Sequence, residues 1–540
     1  MPLVAVLIAS VSAQQRAPEN DSIRQSNLRA DLYFLAGDSM RGRLTNTEEN
    51  RTAADFIKMR FERIGLEPAG PDHSYFEPYN LVTATLAGGN ALDVIRDEGA
   101  TEHFGEGQEF YPERFSASGH VAAPVAFVGF GISAPPLSYD DYNGEVKGKI
   151  VIALNHEPGE RDPDSPFDGV ITSEWSTPWR KALAAQRKGA LAVLFVADVQ
   201  NHPAPANFEA GARNAWPEKP PRIPFYTLAD WADQIHIPVA GISPALASAL
   251  VAGTGKTFAD LARASETAHG FAPLALPGAR LSLTTAVDRH IVPDRNVVAK
   301  VEGSDPALKN EWVIISAHFD HQGADGNQIF NGADDNGSGT VALLEIAEAY
   351  ARAAQAGHRP KRSVLFAAWN SEERGLLGAW AYTEHPLVPL SSIAAVLNMD
   401  MIGRNEEIPV GGGPRFGGLE PQTAASNENA VNVGGLKWAG DLKAPLDAAD
   451  TGIGLDLKAR YDNNASNLVR RSDQWPFLQH GVPAVGFFTG LHPDYHTVYD
   501  RPEKINYPKL EKIARLVHQA SWDLANQPAR PRPATGSGAK

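Results

Sequence analysis

The sequence of 540 residues contains no cysteine, no run of basic residues and no apolar stretch of membrane-spanning length. Without cysteine, any bound metal must be held by histidine and carboxylate side chains. A formal net charge of −15 without clustered Lys or Arg argues against nucleic acid as a partner. The apolar run near the N-terminus is too short to cross a bilayer as a helix, so we predict no membrane span.

The composition that remains is typical of a soluble globular protein, with 43% hydrophobic and 21% charged residues. A chain of this length predicts two or more domains. The apolar run Leu3–Val11, followed by small residues up to Ala13, predicts a signal peptide over residues 1–13. We therefore expect an exported protein, periplasmic or secreted; the alternative is a buried N-terminal strand. Residues 527–540 have a composition that predicts a disordered tail.

Periodicity predicts an α/β fold. Apolar residues recur at helical spacing within Asn27–Pro68, which predicts two helices. Near-continuous apolar runs at Glu311–Ala317, Ser363–Trp369 and Ile393–Met399 are typical of strands covered on both faces. A helix predicted at Gly339–Gln355 connects the first two of these strands. The expected fold class is α/β, with a mixed, largely parallel sheet flanked by helices.

The pattern changes between residues 116 and 273, where short predicted strands alternate with helices and Pro and Gly are frequent. This stretch carries no convincing metal or nucleophile constellation. We predict that it is a β-rich α/β domain inserted into the main one, which then comprises residues 20–115 and 274–526. The Gly-rich, irregular segment Asn405–Ala459 is predicted to form a lid or a wall of the substrate site.

Candidate metal ligands cluster in the second part of the main domain. Three follow apolar runs and two lie in loops beside Gly, Asn or Pro: His318, Glu373, Asp400, Asp335 and His496. Two metal ions about 3.5–4 Å apart need one shared carboxylate and two further ligands each, which makes five groups. A single buried His or Asp is more often structural, but the five together indicate a two-metal hydrolase site.

Three further residues, each close in sequence to a candidate ligand, suggest acid–base chemistry: Glu372, Asp320 and Tyr495. Glu372 and Glu373 point in opposite directions if the backbone is extended, so one can bind metal while the other handles a proton. Asp320 follows His318 by two residues and is expected to accept the second ring N–H of that histidine. The phenol of Tyr495 either donates to an oxyanion or simply packs, and the sequence leaves both open.

Five motifs in this order resemble the co-catalytic dizinc aminopeptidase family, which is related to glutamate carboxypeptidase and the transferrin receptor. They are His318-x-Asp320, Gly332-Ala-Asp-Asp335-Asn-Gly-Ser-Gly, Asn370-Ser-Glu372-Glu373-x-Gly, Asn398-Met-Asp400-Met-Ile-Gly and Tyr495-His496-Thr. Residues 116–273 resemble a protease-associated domain, which in the family lies over the active site and shapes substrate access.

The resemblance implies a zinc exopeptidase-like fold and an aminopeptidase that releases N-terminal residues from peptides. It assigns Asp335 as the bridge between two Zn²⁺ ions, for which Co or Mn are possible substitutes. His318 and Asp400 would complete one metal site, and Glu373 and His496 the other. Glu372 would be the general base toward the metal-held water, Asp320 the partner of His318, and Tyr495 the oxyanion donor. The peptide bond between Asp335 and Asn336 would be cis. Asp473 matches a motif position near the metals.

Three other functions stay open from the sequence. A carboxypeptidase of the glutamate-releasing type needs clustered arginines for the substrate carboxylate, and Arg404, Arg470 and Arg471 are candidates. A glutaminyl cyclase would normally lack a complete second metal site. A non-catalytic binding protein stabilised by metals would have no use for the free carboxylate of Glu372.

Overall fold

The computed structural model describes residues 16–96, 99–203 and 207–532. The predicted signal peptide lies outside these residues and stays a prediction. The α-helices are Gln25–Leu35, Glu48–Ile64, Pro178–Arg187, Phe208–Ala215, Ala229–Asp233, Pro244–Val251, Phe258–Ala264, Gly339–Gln355, Leu377–Glu384, Lys443–Ala449, Gln474–Gln479 and Tyr507–Asn526. In the described ranges, no helix has the length and apolar character that crossing a membrane requires.

A mixed sheet of ten strands forms the centre of the described chain. In spatial order its strands are Thr227–Leu228, Phe76–Leu86, Val287–Val301, Ser363–Trp369, Trp312–His318, Ile393–Met399, Ala484–Phe488, Ala430–Gly434 and Asp456–Lys458, and Glu67–Pro68 pairs with Val287–Val301. The four strands from Ser363–Trp369 to Ala484–Phe488 are parallel. Antiparallel pairs border this parallel centre on both sides. The expected mixed α/β sheet is confirmed.

The central strands are buried at nearly every residue, so both faces of the sheet must be covered. Three helices pack on the sheet and on one another: Glu48–Ile64, Gly339–Gln355 and Tyr507–Asn526. Helices Leu377–Glu384 and Gln474–Gln479 form a second packed pair. The predicted helix Gly339–Gln355 has the expected bounds. The cover of helices holds the parallel strands rigidly, and their carboxyl ends meet at one edge, where ligands bind in such sheets.

A second sheet of eight strands contains most of the strands within residues 91–285. Its order is Thr101–Phe104, Ala91–Arg96, Leu274–Thr285, Gly119–Phe127, Ile150–Leu154, Ala192–Val196, Val239–Ile242 and Phe110–Pro112. The strands Ala91–Arg96, Thr101–Phe104 and Phe110–Pro112, which belong to the predicted main domain, thus pair in this second sheet. Conversely, Thr227–Leu228 from the predicted insert pairs with the first sheet. Alternation of apolar and polar residues identifies strands but not their partners, because strand pairing depends on residues that are distant in sequence. The division into domains stays a prediction.

Two further segments differ from expectation. The segment Asn405–Ala459, predicted as irregular, contributes the strands Ala430–Gly434 and Asp456–Lys458 to the first sheet. At the predicted disordered tail, the carbonyl oxygens of Gln527 and Pro528 accept hydrogen bonds from buried Arg362, and Arg530 donates to the Ile393 carbonyl oxygen at 2.7 Å. These contacts hold the residues before 533 against the body; residues 533–540 lie outside the described part.

Candidate metal centre

The carboxyl ends of the central strands supply the candidate site. His318 is the last residue of the strand Trp312–His318, and Asp400 follows the strand Ile393–Met399 directly. The Nε2 atom of His318 lies 3.3 Å from Oδ1 of Asp400 and 3.6 Å from Oε2 of Glu372. Since these strands are parallel neighbours, their ends meet at the same edge, and residues 82 positions apart come into contact.

Asp335 joins two groups of possible ligands. Its Oδ1 atom lies 3.4 Å from Nε2 of His318, and its Oδ2 atom lies 2.9 Å from Nε2 of His496. Each carboxylate oxygen therefore faces a different histidine. The peptide bond between Asp335 and Asn336 is cis, as the resemblance implies. All five predicted metal ligands are brought into one cluster.

The second group contains a histidine to which sequence reasoning gave no role. Oε2 of Glu373 lies 3.2 Å from Nε2 of His496, while Oε1 of Glu373 lies 2.7 Å from Nδ1 of His321. Nδ1 of His321 is also 3.8 Å from Oδ2 of Asp335, and its buried Nε2 has no hydrogen-bond partner among the described residues. The available signal was position, because His321 follows His318 by three residues in the loop after the strand.

The two glutamates lie on a 3₁₀ turn, Glu372–Arg374, so the expectation of an extended backbone was wrong. The turn forms because Ser371 has a φ of 59° and Gly375 a φ of 109°. The side chains nevertheless separate: Glu372 joins His318 and Asp400, whereas Glu373 joins His321 and His496. The turn therefore separates the two side chains, as the extended backbone was expected to do, and their roles stay predictions.

Asp320 does more than contact His318. One carboxylate oxygen lies 3.5 Å from Nδ1 of His318. The same carboxylate accepts the backbone N–H of Glu372 at 3.0 Å and of Glu373 at 3.3 Å. Asp320 thus ties the histidine strand to the glutamate turn, a positioning function that sequence spacing predicted only in part.

Asp500 and Arg43 fix the loop that carries Asp335, and neither was predicted. The carboxylate of Asp500 accepts the backbone N–H of Asp334 at 3.0 Å and of Asp335 at 3.1 Å. Arg43 is buried and donates to the carbonyl oxygens of Asn331 at 2.7 Å and Gly332 at 2.9 Å. Burial lowers the pKa of Arg43 to about 10, with nearby carboxylates opposing the shift. Both residues are far from Asp335 in sequence, which gave no signal of the contact.

Burial and nearby charges shift the pKa values of the side chains at the centre of the site, upward for some and downward for others. Burial, together with the charges of Asp400 and Asp473, raises the pKa of Glu372, and the positive His318 opposes this. For Asp335, burial and Glu373 oppose the shift, but hydrogen bonds from His318 and His496 hold its pKa below the usual range. Although burial opposes it, Glu373 and Asp335 raise the pKa of His496 to about 10. Burial opposes the shift of Glu373 too, but the charges of His496 and His321 hold the pKa of Glu373 well below the usual range. Environment thus shifts the pKa values of the two neighbouring glutamates in opposite directions.

The residues fit a bound metal on two grounds. Asp335, Glu372, Glu373 and Asp400 bring four carboxylates together, and within the described ranges the only Lys or Arg in ion-pair distance of them is Arg374, 3.9 Å from Glu373. Buried carboxylates without cationic partners are costly, and divalent cations offset that cost. The donors are imidazole nitrogens and carboxylate oxygens, which zinc, cobalt and manganese accept.

Comparison with known proteins agrees with this geometry. Residues 296–521, which carry all five candidate ligands, match the sequence profile of Peptidase family M28. These residues are similar to the M28 peptidases, and we refer to residues 296–521 as the M28 segment. The M28 segment contains both glutamates of the turn, Tyr495 and Asp473 as well.

Individual relatives cover the chain to different extents. A probable glutamate carboxypeptidase of Arabidopsis thaliana is 30% identical over 38% of this chain and 26% of its own length. A probable zinc metalloprotease of Pyrenophora teres is 26% identical over 44% of this chain and 53% of its own length. A probable glutamate carboxypeptidase of Zea mays is 24% identical over 94% of this chain and 67% of its own length. The chain thus spans between about a quarter and about half of the length of the first two.

One solved structure is similar along most of the chain. An aminopeptidase from Aneurinibacillus sp. strain AM-1 aligns over 95% of this chain and 96% of its own, with 17% identity and a TM-score of 0.47.

A cavity of about 670 Å³ opens beside the candidate ligands of the M28 segment. Glu372, Glu373, Asp335, Asp400 and His496 line one side of it. Aromatic and aliphatic side chains line another part: Tyr226, Trp231, Leu376, Trp380, Trp475 and Phe488. The cavity therefore joins a charged end to an apolar wall, which is common in sites that bind small ligands.

Tyr495 lies at this cavity and stacks on His496, with ring centroids 3.8 Å apart. Arg471 donates to its phenolic oxygen at 2.9 Å. Because Arg471 donates to the phenolic oxygen, that contact does not use the Tyr495 O–H proton, which can be donated to another acceptor. Burial raises the pKa of Tyr495 far above the usual range, with the charge of Asp335 adding to the effect. The phenol therefore stays protonated as a hydrogen-bond donor.

Asp473 of the M28 segment is completely buried near the cluster, as its motif position predicted. Neither carboxylate oxygen has a hydrogen-bond partner among the described residues. Burial raises its pKa well above the usual range; the charge of His318 opposes this, and that of Asp400 adds to it.

Proposed function

We propose that the protein is an aminopeptidase that uses two zinc ions and releases N-terminal residues from peptides. The observation that carries this proposal is Asp335, whose two oxygens face His318 on one side and His496 on the other. One shared carboxylate with two ligands on each side is what a pair of metal ions requires. Relatives named as zinc metalloprotease and glutamate carboxypeptidase support zinc and peptide hydrolysis.

The chemistry of the proposal divides between the ligands and the cavity. His318 and Asp400 would hold one ion, Glu373 and His496 the other, and Asp335 both. Bound there, the ions would polarise the scissile carbonyl and lower the pKa of water. His321 contacts Glu373 at 2.7 Å and would orient that carboxylate, as a hydrogen-bonding partner of a metal ligand does.

Glu372 is the general base in this proposal. Its carboxylate accepts a proton from the attacking water and delivers it to the leaving amine as the C–N bond breaks. Asp320 fixes the turn by accepting the Glu372 backbone N–H at 3.0 Å. Tyr495 donates its O–H to the oxyanion that develops on the carbonyl oxygen, and Arg471 holds the phenol in place.

A glutamate-releasing carboxypeptidase is the second candidate, and the arginines bear on it. Arg404 is paired with Asp494 at 3.0 Å, and Arg470 with Glu174 at 2.9 Å. In the part of the chain that the structure describes, Arg471 has no acidic ion-pair partner, and it lines the cavity. A single such arginine favours this function less than a cluster would, which is why the aminopeptidase comes first.

The test is a panel of substrates assayed before and after chelation and zinc restoration. It contains peptides with a free N-terminus, the same peptides with a blocked N-terminus, and blocked peptides that end in glutamate. We expect zinc-dependent release of the first residue only where the N-terminus is free. Cleavage of blocked peptides that end in glutamate would transfer the assignment to the carboxypeptidase. Absence of zinc-dependent cleavage in all three groups would overturn both and favour a binding protein.

A further inference from the structure

A second group of possible metal ligands lies at the edge of the second sheet. The strands Ile150–Leu154 and Ala192–Val196 are parallel neighbours, so the loops that follow them leave from the same edge. The first loop carries His156 and Glu160, and the second carries His202. None of these residues belongs to the M28 segment.

The three side chains converge on one carboxylate. Nδ1 of His156 lies 3.2 Å from Oε2 of Glu160, and Nε2 of His202 lies 2.7 Å from Oε1. The two imidazole rings are stacked, with centroids 4.1 Å apart and planes inclined by 25°. One donor atom from each residue lies within 4.8 Å of the others. Two imidazole nitrogens and a carboxylate oxygen are a common ligand set for zinc.

The simpler explanation is a direct contact of the two imidazoles with Glu160 that involves no metal. That explanation leaves Nε2 of His202 unexplained, because this buried atom makes no hydrogen bond of proper geometry despite its short distance to Glu160. A buried nitrogen left unsatisfied beside a carboxylate needs an explanation, and a cation bound by both groups provides one.

The surroundings are built and predominantly acidic. Lys181 is buried and donates to the backbone carbonyl oxygens of Leu154 and His156, which fixes the start of the first loop. Asn201 donates to the carboxylates of Asp198 at 2.8 Å and Glu266 at 2.5 Å, which fixes the second loop. The ligands are thus held on anchored loops, with further negative charge close by.

We propose that His156, Glu160 and His202 bind a divalent transition-metal ion of the zinc class, separate from the ions of the M28 segment. The half-exposed histidines leave room for water to complete the coordination. Oxygen-preferring cations such as calcium are disfavoured, since two of the three donors are imidazoles.

The site would stiffen one wall of the catalytic cavity. From Glu160 the first loop continues to Ser173, whose backbone N–H donates to buried Glu157 at 2.8 Å. The next residue, Glu174, lines the cavity and accepts hydrogen bonds from Arg470 at 2.9 Å and Trp475 at 2.8 Å. A metal that joins the two loops therefore restrains the segment in which Glu174 contacts Arg470 and Trp475 of the M28 segment.

The experiment measures zinc bound per full-length chain by equilibrium dialysis and elemental analysis. The variants are Glu160→Gln, which keeps the side-chain shape, and His202→Ala. The matched control is His236→Ala with His358→Ala, two exposed histidines outside the cluster. We expect each variant to bind one equivalent less than the wild type, and the control to bind the same amount. Limited proteolysis in zinc should also cleave the 155–177 segment faster in the variants.

Equal zinc content in the wild type and in folded Glu160→Gln would overturn the proposal. If His202→Ala does not fold, Glu160→Gln decides alone. A failure of this proposal can be distinguished from a failure of the proposed peptidase function. Glu373→Gln removes a candidate ligand of the M28 segment and leaves Glu160 unchanged, whereas Glu160→Gln does the reverse. A chain that loses one equivalent in each of these two variants holds two separate kinds of site.

Discussion

The adjacent glutamates provide a sharp test of the proposed chemistry, since they are neighbours in sequence with different assigned roles. Glu372 faces His318 and Asp400 at the cavity, while Glu373 contacts His321 and His496. The perturbation is to replace each by glutamine in turn. Glutamine has nearly the same size, so the comparison isolates loss of the carboxylate charge and proton affinity.

The expected magnitudes differ between the two variants. Glu372→Gln removes a general base, which typically contributes about 100- to 10,000-fold. That corresponds to about 3–5 kcal/mol of transition-state stabilisation. Its zinc content should stay at the wild-type value, because His318, Asp400 and Asp335 remain. Glu373→Gln removes a ligand and should weaken zinc binding by more than the roughly 10- to 100-fold that loss of an outer hydrogen-bonding partner costs.

The assay combines bound zinc with steady-state turnover of a peptide that has a free N-terminus. Raising free zinc should restore part of the activity of Glu373→Gln and none of the activity of Glu372→Gln. Loss of zinc from Glu372→Gln would refute the reasoning and identify that residue as a ligand. Wild-type turnover in Glu372→Gln would exclude it as the base.

Three further predictions concern residues around the site and the core. Asp500→Asn should lower zinc affinity about 10- to 100-fold in a metal-buffered titration, because the Asp500 carboxylate accepts backbone N–H groups of the Asp335 loop. Unchanged affinity would show that the loop keeps its conformation without Asp500. Arg471→Ala should lower kcat by about tenfold through Tyr495 with little change in KM for peptides with a free N-terminus; a large rise in KM confined to substrates ending in glutamate would instead support the carboxypeptidase. Burial lowers the pKa of His518 to about 3, against about 6.5 in an unfolded chain. Below about pH 6.5 the unfolded state therefore binds more protons than the folded state, and the free energy of unfolding falls as the pH drops. Between pH 7 and pH 5 the wild type should lose about 2 kcal/mol more than His518→Phe in denaturant unfolding, while His358→Gln, at an exposed position, should behave as wild type; equal pH slopes in wild type and His518→Phe would contradict it.

Much of the fold follows from local pattern. The helix Gly339–Gln355 begins and ends where periodicity predicts. Helix periodicity is set by residues three and four apart, and the sequence records it directly. Strand pairing is different, because Ala91–Arg96 reads as a strand in either sheet and only its partner Leu274–Thr285 decides.

For the candidate site, the sequence alone singled out the candidate ligands by residue type, by position after apolar runs and by family motif. His318, Asp335, Glu373, Asp400 and His496 all lie in one cluster, since parallel strands bring their carboxyl ends to one edge. Their roles stay predictions that the variants above test.

Only the tertiary structure revealed the groups that hold this cluster in place. Arg43 and Asp500 reach the Asp335 loop from opposite ends of the chain. His321 contacts Glu373 across 52 residues of sequence. In the same way, His156, Glu160 and His202 become a site only because two parallel strands bring their loops together. Sequence specifies which side chains carry chemistry, but contacts between distant residues are set by packing, and packing is settled only when the whole chain has folded.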